Sequence, residues 1–269
     1  MARNEQISVR LLLTCPISAA SMAVYFALGM KGEIHIGTSG WEYKEWAGDF
    51  YKGVKPKDHF TAYTAHFSTV EINATFYRLP PLSAVHGWRQ KAPANFIFAV
   101  KGSRFITHIK RLKNLQNSVN KFFRRIFPLA PRIGPFLWQL PPNLPKDFSR
   151  LRAFLRRLPR EFPHAFEFRH SSWFDDETKS LLRSFNAALV SVSSLKMPAD
   201  LSVTADFLYL RFHGLAGGPH HDYTAAELAP WADHIRANAA AGRRVFAYFN
   251  NDLNTRAPRN AQLLTQLCR

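Results

Sequence analysis

The chain has 269 residues, 46% of them hydrophobic and 20% charged, and its 36 Lys and Arg outnumber 19 Asp and Glu for a formal net charge of +17. That apolar content excludes disorder, and the composition excludes collagen, coiled coil and small disulfide scaffolds. The two cysteines, Cys15 and Cys268, have no Cys or His at ligand spacing, which argues against a disulfide framework or structural zinc.

Leu11 through Met30 carries no charge and follows Arg3 and Arg10. This has the outline of a signal peptide or a weak membrane anchor, being just long enough to span. Thr14, Pro16, Ser18 and Ser21 dilute it, and a start of translation at Met22 or Met30 is the favoured reading. Residues 1–29 are then an N-terminal extension outside the fold, and residues 30–269 are the folded domain. The location expected is cytoplasmic, provided that residues 1–29 are neither signal nor anchor. The domain itself is expected to make no stable membrane association.

From Ile34 onward, short apolar runs alternate with amphipathic segments. Ile34 to Gly37 is the first run, Thr69 to Asn73 the second and Phe96 to Lys101 the third. Helices are predicted over Lys57–Phe67, Leu82–Lys91 and Leu115–Phe127, the last with Val119, Phe122, Phe123 and Ile126 at helical spacing. Pro135 to Leu140 is the fourth run, followed by a helix over Phe148–Leu158. Ala165 to Phe168 is the fifth, with Asp175 or Asp176 capping a helix that runs to Phe185. Ala188 to Val192 and Phe207 to Phe212 are the sixth and seventh. Thr224 and Glu227 form a capping box for a helix over Ala225–Ala241. Val245 to Phe249 is the eighth run, and Pro258 to Leu267 closes the chain as a helix.

Short apolar runs separated by helix-length segments imply parallel strands with helical crossovers. Eight units over about 235 residues predict an α/β fold, a single (β/α)8 TIM-type barrel. The unit after the sixth strand is irregular, because Leu195 to Ala205 is too short and proline-broken for a helix. An open doubly wound sheet is the alternative, but Gly37-Thr38-Ser39-Gly40 does not match its glycine fingerprint.

Barrel sites sit at the carboxyl ends of the strands. Those ends carry Thr38 and Ser39, Glu71 and Asn73, Lys101, Gln139, Glu167 with Arg169 and His170, Arg211 with His213, and Asn250, Asn251 and Asp252. Residues two apart on a strand share a face, so Glu167 with Arg169, and Arg211 with His213, are expected to point the same way. Aromatic residues at Trp41, Tyr43, Phe76, Tyr77 and Trp173 follow strand ends and could stack on a base or sugar. Between Glu71 and Asp147 there is no acidic residue, only thirteen Lys and Arg, including Lys110, Arg111, Lys113, Lys121, Arg124 and Arg125. That stretch is either a solvated basic face or a landing patch for a polyanion.

The same stretches carry a family resemblance. Gly37-Thr38-Ser39-Gly40-Trp41-Glu42-Tyr43 opens it, followed by Val70-Glu71-Ile72-Asn73-Ala74-Thr75-Phe76-Tyr77-Arg78. Next come Lys101-Gly102-Ser103-Arg104-Phe105-Ile106-Thr107-His108 and Gln139-Leu140-Pro141-Pro142. Phe166-Glu167-Phe168-Arg169-His170 with Ser172-Trp173-Phe174, Arg211-Phe212-His213-Gly214 and Tyr248-Phe249-Asn250-Asn251-Asp252 complete it. Together, from about Ile34 to the end, they resemble the domain of unknown function 72, or YecE-like, family. The resemblance implies a TIM-barrel fold and brings no established activity with it.

The chemistry expected is that of an enzyme with an anion-selective mouth. Its substrate would bear a phosphate or be a nucleic acid, turned over by hydrolysis or acid/base chemistry. Glu71, Glu167 and His213 are the candidate catalytic residues. Thr38, Ser39, Trp41, Asn73, Lys101, Arg169, Arg211, Asn250 and Asn251 are the candidate binding residues, with Arg104 extending the positive wall. A divalent metal is a further option, held by Glu71, Glu167 and His213 with Asp252 or with His220, His221 and Asp222. No GxSxG elbow, HExxH or Walker loop is present. The alternative is a non-catalytic nucleic-acid-binding or adaptor protein; the oligomeric state is left open.

Overall fold

The computed structural model describes residues 32–269; the readings of residues 1–29 lie outside them. These residues form nine strands interspersed with helices. The strands are β1 Ile34–Thr38, β2 Thr69–Ile72, β3 Ile97–Lys101, β4 Ile133–Gln139, β5 His164–Glu167, β6 Ala187–Leu189, β7 Ser191–Ser194, β8 Phe207–Gly214 and β9 Arg244–Phe249. The helices are α1 His59–Thr64, α2 Ala74–Tyr77, α3 Leu82–Lys91, α4 Gln116–Ile126, α5 Phe148–Leu155, α6 Asp176–Ser184, α7 Ala225–Ala240 and α8 Arg256–Leu267. The Asp175 side chain caps α6 through Thr178 N–H at 2.8 Å. Both bonds of the Thr224 and Glu227 capping box are made at α7. Residues 195–206 hold no helix, so the unit after the sixth run is irregular. No helix among the described residues is long and apolar enough to cross a membrane.

Every strand pairing is parallel, but the ladders form two sheets rather than one closed eight-stranded ring. One has the order β1-β9-β8-β7 and the other β2-β3-β4-β5-β6. The sixth apolar run is split in two at Val190. Val190 N–H still bonds Phe166 O on the β5 side at 2.9 Å, whereas Ser191 onward pairs with β8. At the other seam, the Tyr63 hydroxyl stands between β1 and β2. It accepts from Thr38 N–H and donates to Thr69 O, both at 3.0 Å, in place of a backbone ladder. Gly37 makes room for this approach, since a Cβ there would lie 2.5 Å from Thr69 O. Beyond Tyr63 the strands meet directly, in the bridge of Ser39 to Glu71.

Both faces of the strands are buried, as expected of parallel sheets covered by helices. On β8, Leu208, Leu210 and Phe212 join the large core beneath the helices. Phe207 and Tyr209 alternate with them and join a second, smaller cluster with Ala99, Leu137, Ala165, Phe246 and Tyr248. Followed toward the carboxyl ends, the rows of this second face turn polar. Ala99 is succeeded by Lys101, Leu137 by Gln139, Ala165 by Glu167, Tyr209 by Arg211 and Tyr248 by Asn250. Strand geometry alone therefore delivers the polar residues to one place.

Candidate functional site

Arg211 is the hub of that place. It is fully buried, and its guanidinium bridges two buried carboxylates. Arg211 Nη1 donates to Glu167 Oε2 at 2.5 Å, and Nη2 donates to Glu71 Oε1 at 2.8 Å. Asn250 Oδ1 accepts from Nη2 at 3.3 Å. Glu71 is otherwise held by the Ser39 hydroxyl at 2.5 Å and the Tyr209 hydroxyl at 2.7 Å. Glu167 Oε1 accepts from Gln139 Nε2 and from Arg169 Nε, each at 2.9 Å, with His213 Nε2 at 3.4 Å. Arg211 and Arg169 together balance the two carboxylates, which makes this burial of charge tolerable.

Burial pushes the Glu71 carboxyl up, but Arg211, Lys101 and the Ser39 and Tyr209 hydroxyls outweigh it and hold it below its ordinary value. Glu167 is likewise pushed up by burial and then drawn well below that range by Arg211, His213 and Arg169. Burial lowers His213, with Glu167 opposing. Neither glutamate has a free oxygen. The two candidate catalytic carboxylates therefore form, with Arg211, a sealed platform.

A cleft of about 450 Å³ lies over this platform. Lys101, Arg104, His108 and Arg169 supply its cations and imidazole; Asn73, Gln139 and Asn250 supply amides; Phe76 and Tyr77 supply aromatic faces. Lys101 Nζ sits 4.3 Å over the Phe76 ring. Burial and the repulsion of Arg211 bring Lys101 down to about 7, with Glu71 and Glu167 opposing. His108 packs edge-on against Phe76 and is brought to about 4 by burial and by the charges of Lys101, Arg169 and Arg104. Asn73 Oδ1 is buried without a partner.

The sequence-derived candidates divide accordingly. Asn73, Lys101, Arg169 and Asn250 line the cleft. Glu71, Glu167, Arg211, His213 and Ser39 lie in the network beneath it. Three are not brought to either. Thr38 is tied to Tyr63 at the β1 and β2 seam. Trp41 packs edge-on against Trp88 in the core. Asn251 Nδ2 pins the loop after β9 to His221 O and Asn260 Oδ1 at 2.8 and 2.7 Å. Of the aromatic candidates, Phe76 and Tyr77 reach the cleft, whereas Tyr43 and Trp173 pack on Trp46 and Phe168. Of the residues weighed as metal ligands, Glu71, Glu167 and His213 are taken up in the Arg211 network, and no group of three or more His, Cys, Asp or Glu that could hold a metal occurs among the described residues. His221 pairs with Glu227 instead, and Asp222 accepts from Asn260. His108 and Tyr209 were not anticipated. Tyr209 lies two residues before Arg211 on one strand face, so the period of two points to it; His108 lies on a helical turn, Phe105–Ile109, that strand alternation does not reach.

The fold and site define a class: a parallel α/β protein with a preorganised polar cluster at the carboxyl ends of its strands, where such proteins carry their sites. Residues 35–269 match the family described as protein of unknown function DUF72, and the chain belongs to that family. It is 34% identical to the UPF0759 protein YecE of Escherichia coli K12 over 156 residues, 57% of this chain and 55% of that one. The match thus spans about half the length of YecE. It is 26% identical to the UPF0759 protein YunF of Bacillus subtilis over 271 residues, covering 87% of this chain and 94% of that one. A DUF72 family protein from Thermotoga maritima superposes with a TM-score of 0.79 at 27% identity, over 87% of this chain and 98% of that one. A second, from Enterococcus faecalis, shares the fold with a TM-score of 0.73 at 21% identity, over 87% and 95% of the two chains.

Proposed function

We propose that the two sheets act as one barrel-type scaffold, and that its mouth is the anion-selective site of an enzyme acting on a phosphate-bearing substrate. The scaffold reading is supported by the narrowness of the two seams, one spanned by the Tyr63 hydroxyl and the other by Val190. The site reading is carried by the lining of the cleft: it includes two arginines, a lysine and no carboxylate. By contrast, a cleft of about 180 Å³ at the opposite strand ends mixes Glu161 and Asp206 with Arg160 and Arg244. Arg104 and Arg169 grip the anion, Asn73 and Asn250 orient it, and Tyr77 offers a face for a base or sugar. Because Glu71 and Glu167 are sealed by Arg211, they position the cleft; Lys101 and His108 are the titratable groups that meet substrate. That favours acid/base turnover over hydrolysis led by a carboxylate.

The test is calorimetric titration with inorganic pyrophosphate, wild type against Arg104→Ala. Arg104 is exposed and makes no ion pair among the described residues, so its loss leaves the fold alone. Binding should weaken about tenfold; equal affinity in the variant would overturn the anion site.

A second reading, a nucleic-acid-binding protein without catalysis, is favoured by one observation. Exposed Phe105, Ile109, Lys110, Arg111 and Lys113 adjoin the basic helix α4 beside a surface cleft of about 570 Å³. Reversing the exposed Lys121 and Arg124 to Glu should abolish salt-dependent binding of a labelled oligonucleotide, measured by anisotropy, while leaving pyrophosphate binding intact. Arg125 is better left alone, because it donates to Pro80 O at 2.6 Å.

A further inference from the structure

We infer that Lys101 is a covalent nucleophile whose amine forms an imine with the carbonyl carbon of a small substrate that also carries an anionic group. The anionic half of this inference rests on the proposed function; the amine half stands on its own geometry.

Lys101 ends β3 on the inner face, at 6% exposure, and lines the cleft. A buried lysine is ordinarily kept as a cation by a carboxylate partner. Here both nearby carboxylates are engaged by Arg211, at 2.5 and 2.8 Å, and neither forms an ion pair with Lys101. Among the described residues its Nζ makes no hydrogen bond or ion pair and lies over the face of Phe76. Other lysines differ: Lys146 is paired with Asp175 and Glu177, Lys179 with Asp200, and Lys91 donates to a carbonyl of Lys57. Lys101 is therefore a largely buried amine without a carboxylate partner, open to the cleft, with Arg211 and Arg169 close enough to repel its proton. Desolvation next to a second cation is the general way in which lysine is made nucleophilic at neutral pH.

The surrounding groups suit the condensation. The Nζ lone pair attacks the carbonyl carbon, and the π pair of the C=O bond moves to oxygen. That oxygen then leaves as water with the two hydrogens that Nζ gives up, and a C=N bond remains. His108 is neutral at pH 7, lines the same cleft and can carry protons from nitrogen to oxygen. The unpartnered Oδ1 of Asn73 is an acceptor for the intermediate hydroxyl. Arg104 and Arg169 stand on the same wall for the anionic group.

Pyridoxal 5′-phosphate and pyridoxal are the probes, the first an aldehyde with a phosphate and the second without. Each is added at less than one equivalent to the full chain at pH 7, reduced with borohydride, and mapped by peptide mass spectrometry. With the phosphate ester, Lys101 should be modified at least tenfold more than exposed Lys110 or Lys113. Its rate should rise through about pH 7, as the amine loses its proton. Lys101→Met should remove that label and leave the exposed ones. If both probes mark Lys101 equally, the amine assignment holds and the anion reading fails. If the phosphate ester binds, as shown by competition with pyrophosphate, yet only exposed lysines are reduced, the imine inference is overturned and the anion reading survives.

Discussion

Arg211 on β8 and Lys101 on β3 are cations at the same end of the same scaffold, 0% and 6% exposed. Burial opposes the charge of both. On the β8 side, two carboxylates close around the guanidinium and hold its proton more firmly than water does. On the β3 side, those carboxylates are already spent, and the amine falls to about 7. The difference is one of geometry rather than depth. A planar fork can be bracketed by two carboxylates on opposite strands, and whatever lies beside the bracket meets only their remainder. One half of the mouth is thereby made rigid and electrically closed, and the other half is left chemically open.

The largest effect that could break this contrast is at the bracket. Arg211→Met should lower stability by about 3–5 kcal/mol, because two buried carboxylates lose their shared partner. Urea unfolding measures it, and a loss under about 1 kcal/mol would mean that the bracket contributes no more than a surface pair. Lys101→Met should behave in the opposite sense, with no loss of stability near pH 7. Here the sign follows from proton counting. Between about pH 7 and the ordinary lysine value, the native amine is neutral while the unfolded one is still protonated. The unfolded chain then binds more protons, so wild-type stability rises with pH relative to the variant, by up to about 1.4 kcal/mol per pH unit. Below about pH 7 both states are protonated and the difference should level off. A difference that stays level from pH 7 to 10 would place Lys101 with the ordinary lysines. The smallest change sharpens the contrast from outside: Arg104→Ala should alter thermal stability by less than about 0.5 kcal/mol while still weakening pyrophosphate.

All eight apolar runs became strands because parallel strands buried on two faces must be continuously apolar. The helices from α3 to α8 lie within a few residues of the predicted spans, since caps such as Asp175 and Thr224 are local signals. What could not be read was ladder continuity. The split at Val190 and the intrusion of the Tyr63 hydroxyl depend on how distant strands meet. The site divided in the same way. Strand ends named Glu71, Lys101, Glu167 and Arg211, because position along a strand is a property of sequence. Which of these groups would consume the others' charge is a property of three dimensions, and the glutamates read as catalytic turned out to be occupied. His108 escaped for a related reason: its approach to the cleft runs through a helical turn with no strand period.

The pairing of β1 with β9 sets an order of events. Ile34 of β1 lies opposite Val245 of β9, and among the described residues β9 is the sole ladder partner of β1. During synthesis at about 5–20 residues per second, the roughly 210 intervening residues keep that strand waiting for about 10–40 s. Glu71 and Glu167 wait as well, since Arg211 leaves the ribosome after both and neither carboxylate can be sealed without it. These strand ends thus cannot be completed until β8 and β9 have been made. A ribosome that stalls before β8 holds a chain with two stranded negative charges at the centre of its future site.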